Sequence, residues 1–216
     1  MRPAFVVTGT DTDVGKTVLA AALVGALDGC YWKPVQAGLA GETDAETVRR
    51  LALVSADRII PEVYRLTMPA SPHLAAERDG IEIDVDRLTV LPAAGGAHPL
   101  FIEGAGGLMV PLTRKHLQID LFVRWGLPVI LCASTRLGTI NHSLLSIEAL
   151  RRRGIPLLGV AFVGDEQADS ERTIVEMGGV RRLGRLPHLD RLDATTLRAA
   201  FERSFRRADF LADASA

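Results

Sequence analysis

The sequence predicts a single-domain α/β fold, a mostly parallel sheet with helices on both faces. Three observations carry this expectation. Short apolar runs alternate with longer helical stretches along the chain. Strands that alternate with helices mean a parallel sheet covered on both faces. The polar and glycine-rich segments follow the runs, where the carboxyl ends of parallel strands would meet a ligand. With 216 residues, 48% of them hydrophobic, the chain can bury one core of ordinary size and is too apolar to be disordered.

In chain order, Ala4–Thr8 reads as a buried strand and Gly15–Leu27, rich in alanine and leucine, as a helix. Cys30–Trp32 is a short second strand. Asp44–Leu53 is a helix with Arg49 and Arg50 turned outward. Pro99–Glu103 is a strand ending at an acid, and Pro128–Ala133 is another strand. Asn141–Arg152 is a helix whose basic end, Arg151 to Arg153, suits the C-terminal dipole. Leu157–Val163 and Arg182–Leu186 complete the strands. Asp193–Phe210 is a final amphipathic helix, capped by Asp193. Residues 93–97 read as a flexible loop inside the domain, and 211–216 as a fraying tail.

Composition excludes several classes of function. A net charge of −1 gives no basic excess for nucleic acid or an anionic membrane. The apolar start runs into a glycine-rich loop at Gly9, not into the h-region and cleavage site of a signal peptide. No apolar run is long enough to span a bilayer. Cys30 and Cys132 stand alone in strand-like stretches and read as buried free thiols. The expectation is a cytoplasmic protein.

The chemistry starts at Gly9-Thr10-Asp11-Thr12-Asp13-Val14-Gly15-Lys16-Thr17, between a strand and a helix. A P-loop needs that context, because backbone N–H groups at a helix start cradle phosphate oxygens. Lys16 brings a cation to the terminal phosphates, Thr17 offers a hydroxyl to Mg2+, and Gly15 keeps side chains away from the ligand. The usual G-x-x-x-x-G-K-[ST] spacing would put a glycine at position 10. This chain has Thr10 there, with Gly9 one residue early. The fold expected is therefore P-loop NTPase-like.

Lys33, after the second strand and before Pro34, is a second cation suited to a carbamate or a transferring phosphoryl group. Glu103 ends a buried strand, where a carboxylate can ligate Mg2+. Asp44 is either a further magnesium ligand or, with Thr43 as the other candidate, the cap of its helix.

These stretches, with Trp-Lys-Pro-Val-Gln-Ala-Gly (32–38), Ser-Pro-His-Leu-Ala-Ala (71–76), Glu-Gly-Ala-Gly-Gly-Leu-Met-Val-Pro (103–111) and Leu-Gly-Thr-Ile-Asn-His (137–142), resemble dethiobiotin synthetases. Order and spacing agree over roughly the first three quarters of the chain. The resemblance implies a ligase of biotin synthesis acting on 7,8-diaminopelargonic acid, CO2 and a nucleoside triphosphate such as ATP, with Mg2+. It implies Lys16, Lys33 and Thr12 at the chemical centre, and Thr17, Asp44 and Glu103 as metal ligands. Asp13, Val14, Gly15, Lys16, Thr17 and Val18 would hold the nucleotide, together with Glu103, Gly104, Ala105, Gly106, Gly164, Leu186, Pro187 and His188. Thr12, Lys33, Ala37, Gly138, Thr139, Ile140 and Asn141 would meet the diamine. A homodimer with shared sites is expected, the helix start at 138–141 binding the substrate carboxylate across the interface. On the residues alone, Asn141 is equally an ordinary helix cap.

Three positions depart from the pattern. Relatives often carry Ser or Thr where Ala37 stands, and some carry Glu at Asp13. Val163 takes the place of an adenine-reading Asn, which leaves the base preference open. Among rival readings, a partition-type ATPase would carry a lysine five residues before Lys16, where this chain has Asp11. A cobyrinate-type amide ligase would need a glutaminase domain that 216 residues do not accommodate. A small-metabolite kinase remains, and CO2 incorporation distinguishes it.

Overall fold

The computed structural model describes residues 2–93 and 96–211. Two positions of the expected 93–97 loop, and the expected tail beyond Leu211, lie outside the described residues. In chain order the elements are β1 (Ala4–Gly9), α1 (Lys16–Leu27), β2 (Cys30–Trp32), β3 (Val35–Ala37), α2 (Asp44–Ala52), β4 (Ile59–Ile60) and β5 (Tyr64–Leu66). There follow α3 (Pro72–Asp79), α4 (Val85–Thr89), β6 (Leu100–Gly107), α5 (Gln118–Trp125), β7 (Val129–Ser134), α6 (Thr139–Arg152), β8 (Leu157–Val163), α7 (Ala168–Gly178), β9 (Arg182–Leu186) and α8 (Ala194–Ser204). Seven strands form one sheet in the order β4-β2-β6-β1-β7-β8-β9, and β3 pairs with β5 apart from it. Every pairing between these strands is parallel.

Side-chain alternation along the strands sorts the core into layers. Phe5, Val7, Tyr31, Phe101, Ile130 and Cys132 face one side and pack with α1, α2 and α8. Val6, Cys30, Trp32, Leu100, Ile102 and Val129 face the other, against Ile119, Phe122 and Trp125 of α5. Leu131, Ala133, Val160 and Phe162 meet Ile147 of α6 and Ile174 of α7 in a third cluster. Both faces being covered explains the near-continuous apolar runs. From Leu19 to Leu27 only Gly25 escapes full burial, so α1 is apolar all round, as a helix enclosed by its neighbours must be. Both cysteines are free and buried, as the sequence suggested.

One expected helix is shorter than predicted. α8 stops at Ser204, Phe205 is extended (φ −125°, ψ 153°), and a 3-10 turn covers Arg207–Phe210. At about 100° per residue, an unbroken helix would turn Phe210 to the side opposite Phe201. The break brings it back. Phe201 stacks on Phe205 with ring centroids 5.0 Å apart, and Phe210 lies 6.2 Å from Phe201.

Candidate active site

The loop between β1 and α1 has two left-handed residues, Asp13 (φ 55°) and Gly15 (φ 95°), flanking Val14. Such alternation turns successive N–H groups inward and makes an anion-binding nest. The glycine missing at position 10 is functionally replaced one residue earlier. A Cβ on Gly9 would stand 2.7 Å from both the Asp11 carbonyl oxygen and Val14 Cγ2, while the Thr10 N–H bonds the Cys132 carbonyl of β7 at 2.9 Å. Gly15 needs its lack of a side chain twice over, for its positive φ and because a Cβ would lie 2.7 Å from Val163 Cγ1. Lys16 is buried at the loop's edge and donates to the Asp11 carbonyl at 3.0 Å. Burial pushes its pKa down, opposed mainly by the Glu103 carboxylate.

The acids converge on the same point. Glu103, only 1% exposed, accepts the Tyr31 hydroxyl on Oε2 at 2.8 Å. Its Oε1 lies 2.9 Å from Thr17 Oγ1 and 3.3 Å from Lys33 Nζ. The Thr17 hydroxyl is also 3.0 Å from Asp44 Oδ1, and its single proton can serve only one carboxylate at a time. Asp44 Oδ2 pairs closely with Lys33. Burial lowers the Lys33 pKa, but Glu103 and Asp44 outweigh it and the net shift is upward. Tyr31 is pushed well above the usual range by burial, then by the Glu103 charge, so its hydroxyl keeps its proton.

Which residue caps α2 is now plain. Thr43 accepts the Glu46 N–H on its hydroxyl at 3.3 Å, and Glu46 accepts the Thr43 N–H at 2.8 Å. This reciprocal cap satisfies the helix start and leaves the Asp44 side chain free to face Thr17 and Lys33.

A cleft of about 900 Å³ opens over these groups. Among the expected site residues, Thr12, Asp13, Gly15, Lys16, Thr17, Val18, Lys33, Ala37, Asp44, Glu103, Ala105 and Gly106 line it. Val14 and Gly104 do not. Val14 is buried in the core, where its carbonyl meets Cys132 Sγ at 3.4 Å, and a Cβ on Gly104 would meet Phe122 of α5 at 3.1 Å. Gln36, Ser71, Pro72 and Val110, all within stretches that carry the family resemblance, and Glu42 also line the cleft, and none of them was named as a site residue. Gln36 is buried, and its Oε1 accepts the Asp44 N–H at 3.4 Å. Its polarity inside an otherwise apolar strand was the available signal.

The remaining expected residues lie elsewhere. Val163 packs behind Gly15 at the end of β8. The Gly164 N–H bonds the Leu186 carbonyl at 2.9 Å, and its carbonyl accepts Arg185 at 3.0 Å. Both backbone polar groups of Gly164, expected to help hold the nucleotide, thus already have protein partners. Leu186 is buried, Pro187 half-buried and His188 exposed. Gly138 precedes α6 in a left-handed conformation (φ 94°), and no side chain caps that helix start. Asn141 is exposed within the first turn, so it is not the cap. Thr139 is buried, its hydroxyl bonded to the Ser134 carbonyl.

The assembled cleft holds an anion cradle, two buried ammonium groups and an all-oxygen cluster of two carboxylates and a hydroxyl. Such a set suits phosphoryl transfer to an acidic acceptor. Comparison with known proteins points the same way. The family described as AAA domain matches residues 3–196. "ATP-dependent dethiobiotin synthetase BioD" of Rhodopseudomonas palustris (strain TIE-1) is 65% identical, over 99% of this chain and 100% of its own. The protein of the same name from Nitrobacter hamburgensis is 61% identical over 98% of each. The ParA family ATPase from Chlorobium tepidum TLS superposes with a TM-score of 0.53 over 94% of this chain and 91% of its own, at 10% identity. MinD of Aquifex aeolicus, solved as a MinC:MinD cell division protein complex, gives 0.54 over 92% and 86%, at 13%. At those identities the likeness speaks for a shared P-loop NTPase fold alone.

Proposed function

The chain belongs to the dethiobiotin synthetase family, whose activity is an ATP-dependent ligation in biotin synthesis, and on that premise we propose how its cleft divides the work. The substrates are 7,8-diaminopelargonic acid, CO2 and ATP. One amine adds to CO2 and loses a proton, giving a carbamate. A carbamate oxygen takes the γ-phosphoryl group as ADP leaves. The second amine attacks the carbamate carbon, phosphate departs, and the ureido ring closes. The convergence of phosphate cradle, two buried ammonium groups and acidic cluster in one cleft carries this reading.

Residues 13–18 hold the phosphates through loop and helix N–H groups. Lys16 and Lys33 neutralise charge building on phosphoryl and carbamate oxygens, where preorganised cations act most strongly. Thr12 and Ala37 shape the diamine side. Mg2+ prefers oxygen ligands and keeps several waters. Thr17, Asp44 and Glu103 offer such a set, and the Lys33 ammonium already bridges both carboxylates as a monovalent stand-in. A metal held by these residues would supply charge neutralisation to the nucleotide's phosphates.

One assay tests both reaction and base. Labelled bicarbonate is supplied with the diamine and each of ATP, CTP, GTP and UTP. Label should enter a cyclic product. Val163 has no polar group to read a base, so the four nucleotides should support turnover within about tenfold, roughly 1.4 kcal/mol. A stable phosphorylated diamine without label would mean a kinase. A preference for ATP beyond about a hundredfold would refute relaxed base choice and leave the ligase standing.

We also propose a homodimer with shared sites, in the cytoplasm. Leu137 is fully exposed, and Met109 and Leu145 are more than half exposed. The last two border a groove of about 380 Å³ with Thr10, Gly107 and His142. The Thr139 N–H is bonded to the Arg136 carbonyl, but no side chain caps the start of α6, and apolar exposure around it suits an interface that delivers that helix end to a partner's diamine carboxylate. Mixing inactive Lys16→Ala subunits with inactive Asn141→Ala subunits should recover activity. Verified mixed dimers without recovery would refute shared sites. No helix among the described residues is long and apolar enough to cross a membrane.

A further inference from the structure

Glu103 is held from behind as well as from the cleft. β2 and β6 pair in parallel with Tyr31 opposite Phe101, so Glu103, two residues further on, points to the same face as Tyr31. The Tyr31 ring is wholly buried, and its hydroxyl reaches Glu103 Oε2 at 2.8 Å. That contact leaves Oε1 turned toward Thr17 and Lys33. The sheet thus gives each carboxylate oxygen a separate partner.

We propose that Tyr31 is a positioning residue for the divalent cation, holding one Glu103 oxygen so that the other is presented to the metal. This rests on reading Glu103 as a metal ligand. With Glu103 1% exposed, water has little access to Oε2 if the hydroxyl is removed. An unpaired carboxylate oxygen in such surroundings is costly. The carboxylate then swings to share Thr17 and Lys33 between both oxygens, and the geometry offered to the cation is lost. Tyr31 lines no part of the cleft; its ring packs beside Phe101 on the face of the sheet covered by α1 and α2.

The test uses Mn2+ as the probe, titrated by electron paramagnetic resonance into the full-length protein saturated with ADP. Wild type, Tyr31→Phe and Glu103→Gln are compared. Tyr31→Phe keeps the ring and removes only the hydroxyl. Loss of a hydrogen-bonding partner behind a metal ligand typically weakens binding about 10–100-fold. We expect Tyr31→Phe at about the tenfold end, Glu103→Gln to be weaker still, and ADP affinity in EDTA to change less than about twofold. The rise in Tm on adding Mn2+ and ADP gives a second measure on the folded fraction, and should shrink in both variants. If Glu103→Gln leaves Mn2+ binding unaltered, the ligand reading falls and the inference falls with it. If Glu103→Gln weakens the metal and Tyr31→Phe does not, only the positioning role is overturned. An equal loss of metal-free ADP binding in Tyr31→Phe also overturns it, since that marks general packing support.

Discussion

Lys16→Ala should lower ring-closing turnover by roughly a hundredfold to a thousandfold while leaving the fold intact. Removing one preorganised donor from a developing oxyanion is worth about 2.7–4 kcal/mol. Lys16 is placed for that role at the first residue of α1, beside a loop whose left-handed Asp13 and Gly15 suit an anion-binding nest. The fold has little to lose with it. Burial disfavours its charge, and its one side-chain hydrogen bond goes to the loop's own Asp11 carbonyl. Truncation relieves that desolvation, so Tm should hold or rise slightly. Steady-state turnover with the diamine, bicarbonate and ATP, alongside thermal unfolding, checks both halves. Near-normal turnover would remove Lys16 from the chemistry, and a collapse in Tm would mean the loop depends on the lysine for its shape.

Much of the fold was legible because the sheet's two-sided burial leaves its mark residue by residue. β1, β2, β6, β7 and β8 were anticipated from their apolar runs, and β9 was anticipated although its Arg-Leu-Gly-Arg-Leu sequence is not one. α1 was equally plain. The segments that escaped notice are short or weakly patterned. β3, β4 and β5 have two or three residues each, too few for a period to show. α3, α4, α5 and α7 were also missed: α3 does open on Ser71-Pro72, a usable start signal, α4 has five residues, and no glycine or proline marks the start of α5 or α7. α8 was overextended because its aromatic spacing continues past Ser204, and only packing against the sheet tells where the helix must break.

The site was legible in a different way. Gly15, Lys16 and Thr17 announce themselves through local context, since loop and helix start are contiguous in sequence. Glu103 could be suspected from an acid closing an apolar run, although the strand expected to end there continues to Gly107. Asp44 could not be separated from a helix cap, because Thr43 and Asp44 are both good cap residues. Only the observed Thr43–Glu46 pair frees Asp44. Tyr31 gave no signal at all. An aromatic residue in a strand is ordinarily core, and its hydrogen bond spans 72 positions of sequence to Glu103. Long-range polar contacts inside a sheet are set by strand order, which places β6 between β2 and β1 and which no local pattern encodes.

Lys33→Gln should produce the second large loss, and its signature should differ from that of Lys16. The Lys33 side chain is about 8% exposed and sits between Asp44 and Glu103. Glutamine keeps most of the length and can still hydrogen-bond, so the variant chiefly removes the charge. In the chemical step that charge opposes the negative carbamate and phosphoryl oxygens, and turnover should fall by roughly a hundredfold or more. Nucleotide affinity should fall only modestly, because the loop N–H groups and Lys16 remain. Stability should also respond, unlike in Lys16→Ala. Removing one member of a buried ion pair costs about 3–5 kcal/mol, and the low end applies here because the Asp44 side chain keeps 30% of its exposure. Two carboxylates would then face each other across Thr17 without a cation between them. A divalent ion can take that place, so Tm should drop clearly in EDTA and recover in large part with Mg2+ and ADP. Paired measurements of kcat, ADP affinity and Tm in both conditions decide the matter. Unchanged turnover with an equal loss of nucleotide affinity would move Lys33 out of the chemical centre. A Tm loss that Mg2+ and ADP do not restore would show that Lys33 and the metal do not share a site.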